Sequence, residues 1–531
     1  MAKGYRPVDR DQMFLLPPDM RKWLPADHGV WLVIEAVALL DTSVFHARRR
    51  TGGAGAAGYD PDMMVTLLVW AYANGITSSR RIERLCGQDV AFRVICAGNV
   101  PDHVTVARFR QEFADTAASL FAEVLVLCAR LGMGRVGTVA LDGTKIAGNA
   151  SLGANRTEEG LRKLAEDLAA RHAETDEQED ALFGDGRGDN DPGDPHTRAE
   201  RVAAALASLE AERRAREEAE REAAREHLEA AQAGIPRGGR QPVAAEAEAA
   251  RAALERETAA ARAREADWEA RRAAGAGRGT GRRPVPAGQS ARVRRAREQL
   301  ERALARQSAR AEKDRQKQEK EPARRNVTDP DSRLMPVRGG GFIQGYNPQN
   351  VTSEDGLVIA TRLTNTPGDV RWYEPMITAA ATAAAAMAAA GGPGDGKIGL
   401  VLADAGYLSE RNLASPGPDR LIATGKRRKL EKAARAAGKD QKDAGEGAAP
   451  PAAAMAARLA TEDGIAAYRR RSHIGETFHG DLKHNQQFRR LSVRGLPRAS
   501  GEWTFATAVR NLRKAITSGH LTQQALAALA S

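Results

Sequence analysis

Residues 137–146 read GTVALDGTKI and residues 398–407 read IGLVLADAGY. Each is a short, β-rich apolar run that ends in an acid followed closely by glycine, the pattern of a buried strand meeting a turn. The fold class follows from this pair: an α/β protein with Asp142 and Asp404 near the carboxyl ends of two strands. An acid in that position faces the site-forming edge of an α/β sheet. One such acid also suits a turn or a helix cap. Two in one sheet repel each other, and a divalent cation is the usual way to hold both ionised. Hard oxygen donors favour Mg2+ or Mn2+ over zinc. A third carboxylate would complete a site for one or two such ions, which in phosphoryl transfer activate the attacking oxygen and stabilise the leaving one.

The best third acid is Glu476, within YRRRSHIGETFHGDLK at 468–483. On a helix, Glu476 and Lys483 stand about two turns apart and share a face. The acid would hold metal while Lys483 reaches a phosphate, and Arg471 could grip a second phosphate. Alone, the same stretch also reads as an exposed basic helix. His473 and His479 flank Glu476 and read as polar surface residues. Asp329 and Asp331, in TDPDSR, read as turn residues.

Composition supports a polyanionic partner. The chain has 531 residues and a formal net charge of +11, an excess that suits nucleic acid or an anionic membrane. From Tyr468 to Lys514 there are eleven Lys/Arg against three acids. The N-terminal stretch is polar, and the longest apolar run, 63–73, is too short to span a bilayer. Three cysteines form neither a disulfide framework nor a zinc motif. The expectation is therefore a cytoplasmic protein that binds nucleic acid and no membrane.

Residues 1–132 read as an all-helical domain. Asp60-Pro61 starts one helix, Ser78 or Ser79 a second, and a third begins near Thr105. Arg80, Arg81, Arg108 and Arg110 lie close to helix starts, as in a helix-turn-helix-like DNA reader, although a bundle with solvated arginines fits too. Residues 133–154 hold the first part of a sheet domain and 326–515 its remainder. Between them, 155–325 read as a charged helical insertion rich in Ala, Arg and Glu, broken by Gly/Pro near 234–243 and 274–287 into about three arms. LIATGKRRK at 421–429 is a further strand candidate, 436–455 reads as a loop, and 516–531 as a C-terminal tail.

The order LDGTK, then DAGY, then YRRR…E…K resembles bacterial insertion-sequence transposases of the DDE class. The segment 59–115 also resembles the helical N-terminal domain of one large group of them, as do NVTDPDSR, GYNPQN and HNQQFRRLSVRG. The resemblance implies an RNase H-like mixed sheet with flanking helices, with catalytic and metal-binding Asp142 on the first strand, Asp404 on the fourth and Glu476 on a later helix. It implies a nucleoid-associated bacterial enzyme that uses Mg2+ or Mn2+. Its partners would be double-stranded DNA, both terminal inverted repeats and target DNA, on which it acts as a dimer or larger assembly. The family pattern sets a tyrosine, an arginine three residues on, a glutamate four later and a lysine seven after that. Tyr468, Arg471 and Lys483 match as DNA contacts, but Glu476 lies five residues after Arg471, so Arg469 or Arg470 competes for that role. A metal-dependent nuclease without strand transfer and a non-catalytic DNA-binding protein from a decayed element remain the alternatives.

Overall fold

The computed structural model describes residues 19–49, 58–169, 198–232, 243–273, 283–320, 322–337, 339–425 and 451–530. The chain divides into two compact units. One joins Met1–Leu152 to Asp331–Ser531, and the other is Gly153–Pro330.

The first unit is built on a mixed sheet. Its strands are β1 (Thr138–Gly143), β2 (Ile146–Ala147), β5 (Arg333–Pro336), β6 (Phe342–Ser353), β7 (Val358–Thr364), β8 (Leu400–Ala403) and β9 (Asp419–Ile422); β3 (Asn155–Thr157) and β4 (Arg324–Asn326) belong to the other unit. β1 is antiparallel to β6 on one side and parallel to β8 on the other, and β8 is parallel to β9. β7 pairs antiparallel with β6. The acids expected on the first and fourth strands therefore stand side by side: Leu141 is in register with Ala403, and Asp142 and Asp404 follow them. Such neighbouring strands run about 4.8 Å apart.

β1 is buried on both faces, which explains its unbroken apolar run. Val139 and Leu141 face one core, and Ala140 and Leu402 face a second with Met455, Leu459 and Ile474. Strand alternation then turns Asp142 and Asp404 toward the side of Ala140 and Leu402.

Among the described residues, seven α-helices precede the sheet: α1 (Gly29–Ala38), α2 (Ser43–His46), α3 (Pro61–Ala73), α4 (Ser79–Gln88), α5 (Val90–Cys96), α6 (His103–Gln111) and α7 (Phe113–Arg130). Their starts are capped as the sequence suggests. Asp60 accepts from Met63 N–H, Ser78 from Arg81 N–H, and Asp102, rather than a residue nearer Thr105, caps α6. α7 packs along the helix Leu496–Thr517, where Gly501 lets the backbones touch: a Cβ there would sit 2.3 Å from the Phe113 carbonyl carbon. Phe113 and Phe505 stack at 4.1 Å beside that contact. Asn511 on the same helix bonds both the N–H and the carbonyl of Val358, which occupies the outer strand β7. Residues 516–531, expected as a tail, are mostly part of this packing. Helix Leu496–Thr517 runs into them, and Leu521 and Leu526 are buried, the latter on the helix Gln523–Ala530.

The second unit contains a helix over 158–169 and the helices Arg198–Gln232, Val243–Ala273 and Ala291–Lys320, matching the three expected arms. Its small core is Leu161, Val202, Ala205 and Leu209. Most ion pairs on the arms are exposed and three or four residues apart, such as Arg214 with Glu210, each stabilising by only tenths of a kcal/mol. The Gly/Asp cluster near 184–194 lies outside the described residues, as does most of 436–455. β9 ends at Ile422, and the basic end of its candidate stretch, 426–429, is also outside them.

Candidate active site

The helix Glu462–Arg471 carries Tyr468 and Arg471 toward the ends of β1 and β8. The Tyr468 hydroxyl donates to the Ala403 carbonyl (3.2 Å), just before Asp404. Arg471 lies over the Tyr468 ring at 5.9 Å. The next five residues, Ser472–Glu476, form a π-helical turn, in which hydrogen bonds run from i to i+5 rather than i+4. That turn absorbs the one-residue offset between Arg471 and Glu476. Arg471 Nη2 is 3.1 Å from Glu476 Oε1, and Nη1 is 3.7 Å from Asp142 Oδ1. Arg469 is exposed, and Arg470 turns to Glu354 and Thr138 instead. Within the π turn, Gly475 admits β1: a Cβ there would lie 3.4 Å from Cβ of both Ala140 and Asp142.

The continuous helix expected through Lys483 is instead a short α turn, Thr477–Gly480, followed by a second π turn, Asp481–Asn485. Lys483 donates to Thr144 Oγ1 (2.5 Å) and the Lys145 carbonyl (2.9 Å), fixing the loop that follows Asp142.

A fourth acid, Asp369, was not singled out from sequence, where an acid in a Pro/Gly stretch reads as a turn. Its Oδ1 accepts from Asn347 Nδ2 (2.7 Å) and Gln349 Nε2 (2.8 Å), and Lys145 Nζ lies 3.5 Å away. The Tyr407 hydroxyl in turn donates to Gln349. A Cβ on Gly143 or Gly406 would stand 3.1 or 3.2 Å from the Asp369 carboxylate. The glycines after Asp142 and Asp404 are thus the space in which Asp369 sits. Residues of LDGTK, GYNPQN and DAGY all converge on this one side chain.

His479 corrects an expectation. It is not a surface residue: its side chain is 12% exposed, and Nε2 lies 3.7 Å from Asp142 Oδ2. His473 is exposed. Asp331 also serves packing, its carboxylate accepting from Leu496 N–H (2.7 Å) at the start of the long C-terminal helix.

Charge follows burial. Burial pushes the Asp142 carboxyl up to about 7; Arg471 opposes that rise, while the neighbouring charges of Asp404 and Glu476 add to it. Burial, with help from Lys483, Arg510 and Arg471, draws His479 down to about 3, so its imidazole is neutral. Burial also lowers the Lys145 and Lys483 ammoniums, against the pull of Asp369 on the first and Asp142 on the second.

The N-terminal arginines separate into two kinds. Arg80, Arg81 and Arg108 are exposed. Arg110, expected as a DNA contact, is 7% exposed and bound within the protein. It donates to the Thr77 carbonyl and Ser79 hydroxyl, and to Ser492 Oγ (3.1 Å) and the Tyr72 hydroxyl (3.4 Å). Glu502, fully buried, lies 4.0 Å from it and accepts from Tyr72 OH (2.7 Å) and Ser492 N–H (2.7 Å). A buried guanidinium needs such a counter-charge, so Arg110 ties the N-terminal helices to the C-terminal one.

Comparison with known families gives two matches. A model described as Transposase domain (DUF772) matches residues 18–112, and one described as Transposase DDE domain matches residues 431–516. The two matches support an insertion-sequence transposase of the DDE class. No curated protein and no solved structure matches significantly. The DDE match spans Tyr468, Arg471, Glu476 and Lys483, and the N-terminal match spans the four arginines. Asp142 and Asp404 fall outside both, and their assignment rests on strand position and geometry. Transposase domains imply DNA as the substrate. No helix among the described residues is long and apolar enough to cross a membrane.

The donor set suits a hard divalent cation: carboxylate oxygens from two adjacent strand ends and from the helix packed over them. As the side chains stand, no three ligating groups among the described residues are close enough to enclose an ion. Arg471 bridges Asp142 and Glu476, supplying positive charge where a metal ion would. The buried nitrogens of His479 beside Asp142 have no hydrogen-bond partner among the described residues, which marks the pocket as built for something further.

Proposed function

We propose that this transposase hydrolyses phosphodiester bonds at the ends of its element and joins the freed 3′-hydroxyl to target DNA, with Asp142, Asp404 and Glu476 holding Mg2+ or Mn2+. The observation that carries the reading is the placement of Asp142 and Asp404 at paired ends of β1 and β8, with Glu476 joined to Asp142 through Arg471. The ion would supply charge stabilisation to the attacking and leaving oxygens. The protein's share is positioning. Lys483, already against the loop after Asp142, shifts to a backbone phosphate; Arg471 leaves the acids for a second phosphate; Tyr468 keeps the helix seated on the Ala403 carbonyl. RNase H-like topology is part of this reading, supported by the strand order β7-β6-β1-β8-β9, in which β7 and β6 pair antiparallel and β1, β8 and β9 run parallel.

Exposed Arg80, Arg81 and Arg108 would bind the terminal repeats, as their positions on α4 and α6 suggest. The test incubates the full chain with Mg2+ and DNA carrying the sequences that flank this reading frame, plus a target plasmid. Wild type nicks the ends and joins them to the plasmid, while Asp404→Ala does neither. Equal cleavage by the two proteins would sink the assignment, and cleavage without joining would leave a nuclease.

A further inference from the structure

Among the described residues, nothing hydrogen-bonds the ring nitrogens of His479. Its side chain is 12% exposed, and neither Nδ1 nor Nε2 has a hydrogen-bond partner. Buried polar atoms are rarely left this way, and an orphan in a native site points to a bound water or ion. The group nearest in charge terms is Asp142, whose Oδ2 is 3.7 Å from Nε2. That is too long for a hydrogen bond. It is within the span of one cation bonded to both, since bonds of about 2.1 Å on each side reach up to about 4.2 Å.

A neutral imidazole always offers one bare nitrogen, and in the tautomer protonated on Nδ1 that nitrogen is the one beside Asp142. Phe478 packs edge-on against the ring at 5.1 Å, and Arg510 lies over Phe478 at 5.3 Å. His479 follows by four residues Gly475, where a Cβ would lie 3.4 Å from Asp142 Cβ, so both stand on the side of the chain that faces β1.

We propose that His479 is a nitrogen ligand of the divalent cation that Asp142 binds, sharing that ion through Nε2. The inference rests on the metal-dependent reading above. Its consequence is a preference: imidazole nitrogen suits Mn2+ better than Mg2+, which favours oxygen donors and water. Mn2+ should therefore bind more tightly than Mg2+, and His479 should account for the difference.

The experiment uses the full chain without DNA and Mn2+ as the probe. Electron spin-echo envelope modulation of the bound ion should show 14N coupling, replaced by 15N coupling when the protein is labelled with 15N-histidine. His479→Phe should abolish the coupling and weaken Mn2+ binding at least tenfold while Mg2+ binding falls less, and His473→Ala should change neither. Mn2+ bound in an Asp142-dependent way with no nitrogen coupling in wild type would overturn the role of His479 alone. No binding to wild type, or binding untouched by Asp142→Asn, would overturn the metal reading itself. The wild-type spectrum answers the question even where a variant fails to fold.

Discussion

Arg471 and Glu476 face each other across a π-helical turn, with Nη2 3.1 Å from Oε1 at a separation of five residues. The turn, rather than a different arginine, reconciles this chain with a pattern that spaces the two by four. Deleting Ser472 removes the extra residue that the turn accommodates, and should convert it to α-helix with the phase beyond it largely kept. Glu476 would move from five residues after Arg471 to four, and the tighter turn would draw the backbone at Gly475 away from Asp142. The expected outcome is a loss of end cleavage of a hundredfold or more with an unchanged circular dichroism spectrum. Cleavage at wild-type rate would mean the π turn is incidental.

Two groups at the site titrate in opposite directions. Asp142 is raised to about 7, so the metal-free folded protein binds a proton there that the unfolded chain has already lost; its contribution favours low pH and fades as pH climbs from about 4 to 7. His479 is lowered to about 3, so the unfolded chain gains a proton first; its contribution favours high pH and is lost as pH falls from about 6.5 to 3. Between roughly pH 4 and 6.5 the two oppose each other. Thermal melts of metal-free wild type should therefore vary little with pH from these groups. Asp142→Asn should melt lower as pH drops through that window, and His479→Phe should melt lower as pH rises. Parallel pH profiles for the two variants would contradict the assignment.

What the sequence disclosed and what it withheld have a common cause. Asp142 and Asp404 were legible because a strand, its terminal acid and the following glycine are contiguous. Glu476 was legible through its basic surroundings and family spacing. The π turn was not, because it is the packing of Gly475 on Ala140 and Asp142, from distant β1, that selects it over an α turn. Asp369 is recognisable only once β6 brings Asn347 and Gln349 to it. Arg110 misled because charge in a sequence suggests solvent, and its counter-charge, Glu502, lies on the other side of the sheet domain's sequence.

Asp369 should behave as the support for both acidic turns. Removing it takes the acceptor from the Gln349 amide, and leaves Asn347 Nδ2 only the Thr366 and Pro367 carbonyls and Lys145 Nζ only the Pro367 carbonyl. Losing an acceptor from buried donors costs about 1–3 kcal/mol, so Asp369→Ala should lower unfolding free energy by roughly that amount. Asp369→Asn keeps an acceptor oxygen and should lose less. Urea denaturation of the two variants, with end cleavage measured beside it, checks this. Equal stability of Asp369→Ala and wild type would remove Asp369 from the role.

The arginines offer the sharpest contrast between surface and interior. Arg80→Ala, Arg81→Ala and Arg108→Ala each remove an exposed charge. If each contacts a phosphate, DNA affinity falls and the slope of log K against log salt becomes shallower by about one, with unfolding unchanged. Arg110→Ala should do the reverse. It strands Glu502, whose carboxylate is fully buried, and breaking such a pair costs about 3–5 kcal/mol. Arg110→Ala should therefore unfold at markedly lower urea yet, while folded, keep the wild-type salt slope. Restoring neutrality with Glu502→Gln in the Arg110→Ala background should recover part of the stability, since the stranded charge is then gone. A shallower salt slope for Arg110→Ala with no loss of stability would return Arg110 to the DNA-binding surface.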